Sequence, residues 1–192
     1  MANTLNNTKI LKNRTTTRVK WHKYNGGDYF VTICTKNRIH YFGEINNGKI
    51  QLTGIGEYLR IQIENTVTVR KGNVEIPLYT IMPDHIHLIV SISCRDAPRA
   101  SNAPRASRDN HFGQQSHNLA SVIRGIKCAV TKYAQQNNIP FGWQKRYHDH
   151  IIRNQIEMNH ISGYIIENPI KWEGLSRRDA QRASNIQRAS NK

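Results

Sequence analysis

The pattern of apolar and polar positions divides the chain into short β-type runs and three helical stretches. Tyr29–Thr35, Tyr-Phe-Val-Thr-Ile-Cys-Thr, is rich in aromatic and β-branched residues and predicts a first strand. Tyr41–Leu52 predicts a hairpin, because Asn46-Asn47-Gly48 tolerate the positive φ that a tight turn needs. Thr53-Gly54 can then cap a helix to about Glu64, since Ile55, Tyr58, Leu59 and Ile63 recur at helical spacing. Asn73–Leu78 returns to strand, and Tyr79–Ile92 supplies another, with Pro83-Asp84 as the turn that starts its central part. Asn118–Asn138 is the clearest helix. Its Leu119, Val122, Ile123, Ile126, Val130 and Tyr133 share one face, while Arg124, Lys127 and Lys132 fall elsewhere and remain available to phosphates. A last helix over about Gln155–Glu167 is expected to close at Asn168-Pro169, because a residue before proline is biased out of helix. Helices packed on largely antiparallel strand pairs make an α+β fold.

Three stretches do not fit this pattern. Residues 1–24 form a basic arm with Lys9, Lys12, Arg14, Arg18, Lys20 and Lys23 and no acid. Residues 94–116 are small, polar and basic, and their segment 96–107 (Asp-Ala-Pro-Arg-Ala-Ser-Asn-Ala-Pro-Arg-Ala-Ser) recurs almost unchanged at 179–190. Such segments cannot build a core, so 94–116 is expected to be a disordered insertion and 176–192 a disordered basic tail, around one catalytic domain at 25–175.

Charge narrows the partners. With 192 residues and a net charge of +15, the surface attracts polyanions, nucleic acid before membrane. No apolar run approaches the ~18–20 residues of a membrane span, and residues 1–20 lack the apolar core of a signal peptide, so the expected location is the cytoplasm without membrane contact. Cys34, Cys94 and Cys128 are scattered and odd in number, which argues against disulfides or a zinc knuckle and suggests small buried residues.

The candidate chemistry sits in Thr80–Ser91. His85 and His87, separated by Ile86, point to one face of a strand, with rings roughly 6.5–7 Å apart along it. One buried histidine is ordinarily satisfied by a neighbouring carboxylate or carbonyl; two on one face of an apolar strand argue for a metal or phosphate site. Asp84 is read as structural, on the ground that it faces away from both. Two imidazoles leave a divalent cation with open positions. The inward Tyr133 and, one turn later, Asn137 are then candidates for nucleophile and third, oxygen ligand. Tyr147 is the rival nucleophile, and a core tyrosine is the alternative for Tyr133. The run Trp143–Asn154 interleaves aromatic and basic side chains, including Lys145, Arg146 and Arg153, as suits unstacked bases and phosphates. Trp143 itself is read as a packing anchor, and His148 and His150 as structural or phosphate-contacting.

The segment Ile81-Met82-Pro83-Asp84-His85-Ile86-His87-Leu88-Ile89, the helix Val122–Tyr133, the run Trp143–Asn154 and the block Tyr164-Ile165-Ile166-Glu167-Asn168-Pro169 together resemble the single-tyrosine HUH transposases, and within them the REP-associated tyrosine transposases, over roughly residues 20–175. The resemblance implies a ferredoxin-like α+β fold: a central antiparallel sheet with the His-x-His strand in the middle and helices packed on one face. It implies Mg²⁺ or Mn²⁺ on His85 and His87, assisted by Asn137, with Tyr133 attacking single-stranded or hairpin DNA to give a 5′-phosphotyrosyl link. Arg124, Lys127, Lys132, Lys145, Arg146 and Arg153 would contact the DNA, and the active form is a monomer or a homodimer. The main alternative is a domesticated, non-catalytic DNA-binding protein of the same fold. A hydrolase using water in place of tyrosine is a third reading, and it predicts no covalent product.

Overall fold

The chain runs β1 (Gly27–Cys34), β2 (Gly43–Asn46), β3 (Lys49–Leu52), α1 (Gly54–Val69), β4 (Val74–Met82), β5 (His85–Ile92), α2 (Leu119–Gln136), β6 (His148–Ile152) and α3 (Gln155–Ser190), with a 3-10 turn at Lys36–Arg38. The structure, a computed structural model, describes His22, Tyr24 and residues 26–70, 72–93 and 118–190, with side chains as far as Trp172. Most of the basic arm and the whole insertion at 94–116 lie outside the described residues.

Four strands pair antiparallel in the order β4-β5-β1-β6, and β2 and β3 form a separate hairpin. Taken as β1-α1-β4-β5-α2-β6 with that hairpin inserted after β1, this is the expected ferredoxin-like α+β topology. The histidine strand β5 lies in the middle of the sheet. Asn47 and Gly48 turn the small hairpin with φ of 53° and 69°, the doubly positive geometry of tight two-residue loops. Pro77 is tolerated because β4 is an edge strand whose register slips between Glu75 and Leu78.

Side-chain alternation gives the sheet two different faces. Ile86, Leu88 and Val90 of β5 join Val31 and Ile33 of β1 against Leu59 and Ile63 of α1 and Val122, Ile126 and Val130 of α2. Each such side chain, fully buried, contributes about 1.5–3 kcal/mol. On the other face Ile89, Phe30, Leu78 and Ile152 pack against Met158, Ile161 and Ile165 of α3. Thus α1 and α2 cover one face and α3 adds a layer on the other. His85 and His87, four and two positions before Ile89, belong to the α3 face.

Three local expectations need correction. Residues 79–82 belong to β4, not to the histidine strand, since Met82 pairs with His85 across the Pro83-Asp84 turn; an apolar run continues through a tight turn without a break in pattern. The aromatic-basic run contains a strand, β6, which pairs with β1. The last helix does not close at Asn168-Pro169 but passes through Pro169, so the tail is helical as far as Ser190. Proline in a helix interior costs about 3 kcal/mol. The buried Ile161, Ile165 and Asn168, with Trp172 beyond them, hold the helix to the sheet on both sides of it.

Candidate active site

β5 delivers two oriented imidazoles to one point. Their Nε2 atoms face each other 3.1 Å apart, and the rings cross at 80°. Each Nδ1 is held from behind: His85 by Asp84 Oδ1 at 2.5 Å, His87 by Thr32 Oγ1 at 2.9 Å from the adjacent strand β1. A carboxylate can only accept, so His85 Nδ1 donates to Asp84 and Nε2 is the ring nitrogen turned toward His87. Asp84 does not face away from the histidines. It sits in the turn, where its carboxylate folds back onto His85 and its second oxygen takes Arg38 Nε at 2.7 Å. Asp84, His85 and His87 are 2%, 5% and 4% exposed. Burial first, and then the neighbouring His85 and Arg38, push the His87 imidazole down to about 3, against the opposing pull of Asp84. His87 is therefore neutral at ordinary pH and able to act as a ligand.

The helix above this pair is α3. The Tyr164 ring lies 5.3 Å from that of His87, its hydroxyl 3.5 Å from His87 Nε2, and Phe30 packs on both rings. Two turns further on, the Trp172 ring lies 5.6 Å from that of His85. Asn168 is spaced four residues from each, on the same helical stripe, and is 8% exposed. Tyr164 and Trp172 reach the two histidines, and Asn168 lies between them on that stripe. α3 starts from a built cap: Asn154 Oδ1 accepts from Glu157 N at 2.8 Å, and Glu157 in turn accepts from Arg153 N and from His150 Nε2. Such a cap is worth about 1 kcal/mol.

Tyr133 and Asn137 are not part of this site. Tyr133 stacks on Tyr58 of α1, centroids 4.1 Å apart, in the core on the opposite face of the sheet. Asn137 is the C-cap of α2, and its side chain donates to Tyr133 O at 2.8 Å. Both were chosen because α2 turns that side inward. Inward for α2 means toward Ile86 and Leu88, not toward the histidines between them. Tyr147 packs against the same core. The residue that the structure brings to the histidines without its having been expected there is Tyr164, with Asn168 one helical turn on. Their signal was present in Tyr164-Ile165-Ile166-Glu167-Asn168-Pro169, a tyrosine and an amide one helical turn apart before a helix-interrupting proline.

Of the expected DNA contacts, Arg124, Lys127, Lys132 and Lys145 line one concavity, whereas Arg146 and Arg153 are exposed outside it. Trp143 is an anchor, wedged against Phe42 and Phe141 with its indole donating to Lys127 O. Cys94 lies outside the described residues, and the other two cysteines are not the small buried residues expected. Cys34 is half-buried beside Arg38, and Cys128 is exposed on the outer side of α2. No helix among the described residues is long and apolar enough to cross a membrane.

No protein-family model matches the chain. A Haemophilus influenzae protein, described only as uncharacterized, is 35% identical over 167 residues that cover 85% of this chain and 92% of that one. A REP-associated tyrosine transposase solved in complex with a REP hairpin superposes with a TM-score of 0.53 at 22% identity, over 81% of this chain and 74% of that one. A second solved structure, from Deinococcus radiodurans, matches at a TM-score of 0.40 and 15% identity, a likeness too weak to build on. The chain belongs to one family with the Haemophilus influenzae protein, and its fold is that of the REP-associated tyrosine transposase.

Proposed function

We propose that the protein cuts and rejoins single-stranded, hairpin-forming DNA with Tyr164 as nucleophile and a divalent cation held by His85, His87 and Asn168. The observation that carries this reading is the Tyr164 hydroxyl 3.5 Å from His87 Nε2, above two imidazoles that present Nε2 to each other. The donor set fits a hard cation. Cis ligands on Mg²⁺ or Mn²⁺, at about 2.1 Å each, stand about 3 Å apart, close to the 3.1 Å between the two Nε2 atoms. Two imidazoles and an amide oxygen leave positions for phosphate oxygens. When bound, the cation would polarise the scissile phosphoryl group and offset its developing charge.

The chain's own residues supply the rest. Asp84 and Thr32 fix the two rings, and Thr32 Oγ1 can accept the proton of His87 at Nδ1, freeing Nε2 as a ligand. Tyr164 Oη attacks phosphorus, forming a Tyr–O–P bond while the P–O3′ bond breaks. The phenolic proton leaves and the 3′-oxygen departs as a hydroxyl. Attack of a 3′-hydroxyl on the same phosphorus reverses the step and rejoins strands without ATP. Lys145, Arg146 and Arg153 would contact DNA phosphates beyond this centre. The solved relative's REP hairpin and this chain's charge of +15 support hairpin DNA as the substrate.

Incubation with a labelled single-stranded hairpin oligonucleotide and Mn²⁺ should give a protein–DNA adduct on a denaturing gel. The adduct should persist in Tyr133→Phe and vanish in Tyr164→Phe. Cleavage without an adduct would favour the water-based hydrolase, and binding without cleavage the domesticated binder.

A further inference from the structure

The outer side of α2 carries a feature that the cleavage chemistry does not use. Ile123, Cys128, Trp143 and Tyr147 floor a concavity of about 820 Å³, and Arg124, Lys127, Lys132 and Lys145 rim it, with no carboxylate among its lining residues. A second concavity of about 650 Å³, lined by Lys36, Asn37 and Arg38, meets the first at Trp143 and Lys145. The two make one cationic trough. It ends at Arg38, whose guanidinium holds Asp84 and through it His85. The trough thus runs from the arginine that braces the histidine pair to the outer side of α2.

The shared wall is braced from inside. Trp143 Nε1 donates to Lys127 O, Lys127 Nζ donates to Gln144 O at 2.8 Å, and Gln144 N donates to Cys34 O. Burial lowers the Lys127 ammonium below its ordinary range. Lys127 is therefore a strap for the wall, and Arg124, Lys132 and Lys145, all exposed, are the cations free to meet a ligand. An apolar and aromatic floor between exposed cations suits unstacked bases with their phosphates at the rim. A duplex would keep its bases stacked and away from such a floor.

We propose that this trough seats a single strand of DNA leading away from the active site. The proposal rests on the reading of that site as a DNA strand transferase, which gives a single strand its starting point at Arg38. Cys128, exposed on the floor, is a built-in reporter.

The test uses the full chain in EDTA, with a short oligothymidylate as probe. The variant carrying Arg124→Gln, Lys132→Gln and Lys145→Gln should bind the probe at least about tenfold more weakly, with a salt slope shallower by about 2, the share of three phosphate contacts to a single strand. Alkylation of Cys128 by iodoacetamide, read by peptide mass spectrometry, should slow several-fold in saturating probe. Tyr164→Phe should retain both effects. Unchanged binding by the triple variant would overturn the proposal, as would a Cys128 that alkylates equally fast with and without the probe. A blunt duplex that protects Cys128 as well as the oligothymidylate would overturn the single-strand assignment. Protection of Cys128 in a protein that forms no adduct with Mn²⁺ would leave the trough standing and defeat the nucleophile; an adduct without protection would do the reverse.

Discussion

On one face of the central sheet Tyr133 stacks on Tyr58 over a floor of isoleucine, leucine and valine; on the other, Tyr164 stands over His87 with its hydroxyl 3.5 Å from a ring nitrogen. Both tyrosines lie on helices that pack against the same strand. The first is half-buried in an apolar core, while the second is 41% exposed beside groups that can bind a cation. The difference lies in the strand. Alternation sends Ile86 and Leu88 to one side and His85 and His87 to the other, so the face a helix covers decides whether its tyrosine is mortar or reagent.

Breaking the two faces separately gives the largest contrast. His85→Ala or His87→Ala should lower Mn²⁺ affinity by more than about 100-fold, exceeding the 10–100-fold typical of losing an outer partner. Leu88→Ala, one residue away and facing α1 and α2, should cost about 2–5 kcal/mol of stability and leave Mn²⁺ affinity within a few-fold. Calorimetric titration with Mn²⁺ and urea unfolding of the same variants read the two losses independently.

The next contrast is within the histidine face. Asp84→Asn keeps the size of the side chain but removes the charge that holds His85 Nδ1 and Arg38. Mn²⁺ affinity should fall by about 10–100-fold. Thr32→Val, which removes a neutral partner of His87, should cost less in the same titration.

Tyrosine truncation should invert the ranking of the faces. Tyr133→Ala should destabilise the fold by about 2 kcal/mol, below the 3–5 kcal/mol of a fully buried aromatic because the ring is half-buried. Tyr164→Ala should cost under about 1 kcal/mol. A larger loss at Tyr164 than at Tyr133 in urea unfolding would reverse the roles assigned to them.

The smallest effect concerns the start of α3. The Arg153 N–H first, and then His150, hold the Glu157 carboxyl below its ordinary value of 4.5. A depressed folded value means that its contribution is full above the unfolded value and is lost as pH falls through the folded one. The urea midpoints of wild type and Glu157→Gln should therefore differ near neutrality and converge as pH falls below the ordinary carboxylate range.

What the sequence revealed follows from what its patterns encode. The first strand, the Asn46-Asn47-Gly48 turn and the α2 periodicity are local signals, and each became the expected element. The histidine pair was legible because period two is unambiguous: no other backbone puts His85 and His87 together on one face of an apolar run. The tyrosine that stands over the pair was not, because helical periodicity tells inside from outside and says nothing of which side of a sheet the helix will cover. Asn168-Pro169 was read as a helix end. That cut α3 off before Trp172 and hid the stripe Tyr164, Asn168, Trp172 that closes over the histidines. Arg38 was equally silent, since only the fold brings a 3-10 turn after β1 against the β4–β5 turn.

The most direct measurement is to locate the DNA on the protein. After reaction with a hairpin oligonucleotide and Mn²⁺, proteolysis and nuclease trimming should leave a nucleotide mass on one tyrosine, identified by fragmentation of the modified peptide. The account predicts Tyr164. A nucleotide on Tyr133 or Tyr147 would contradict it, because it would put the chemistry on the face of the sheet opposite His85 and His87.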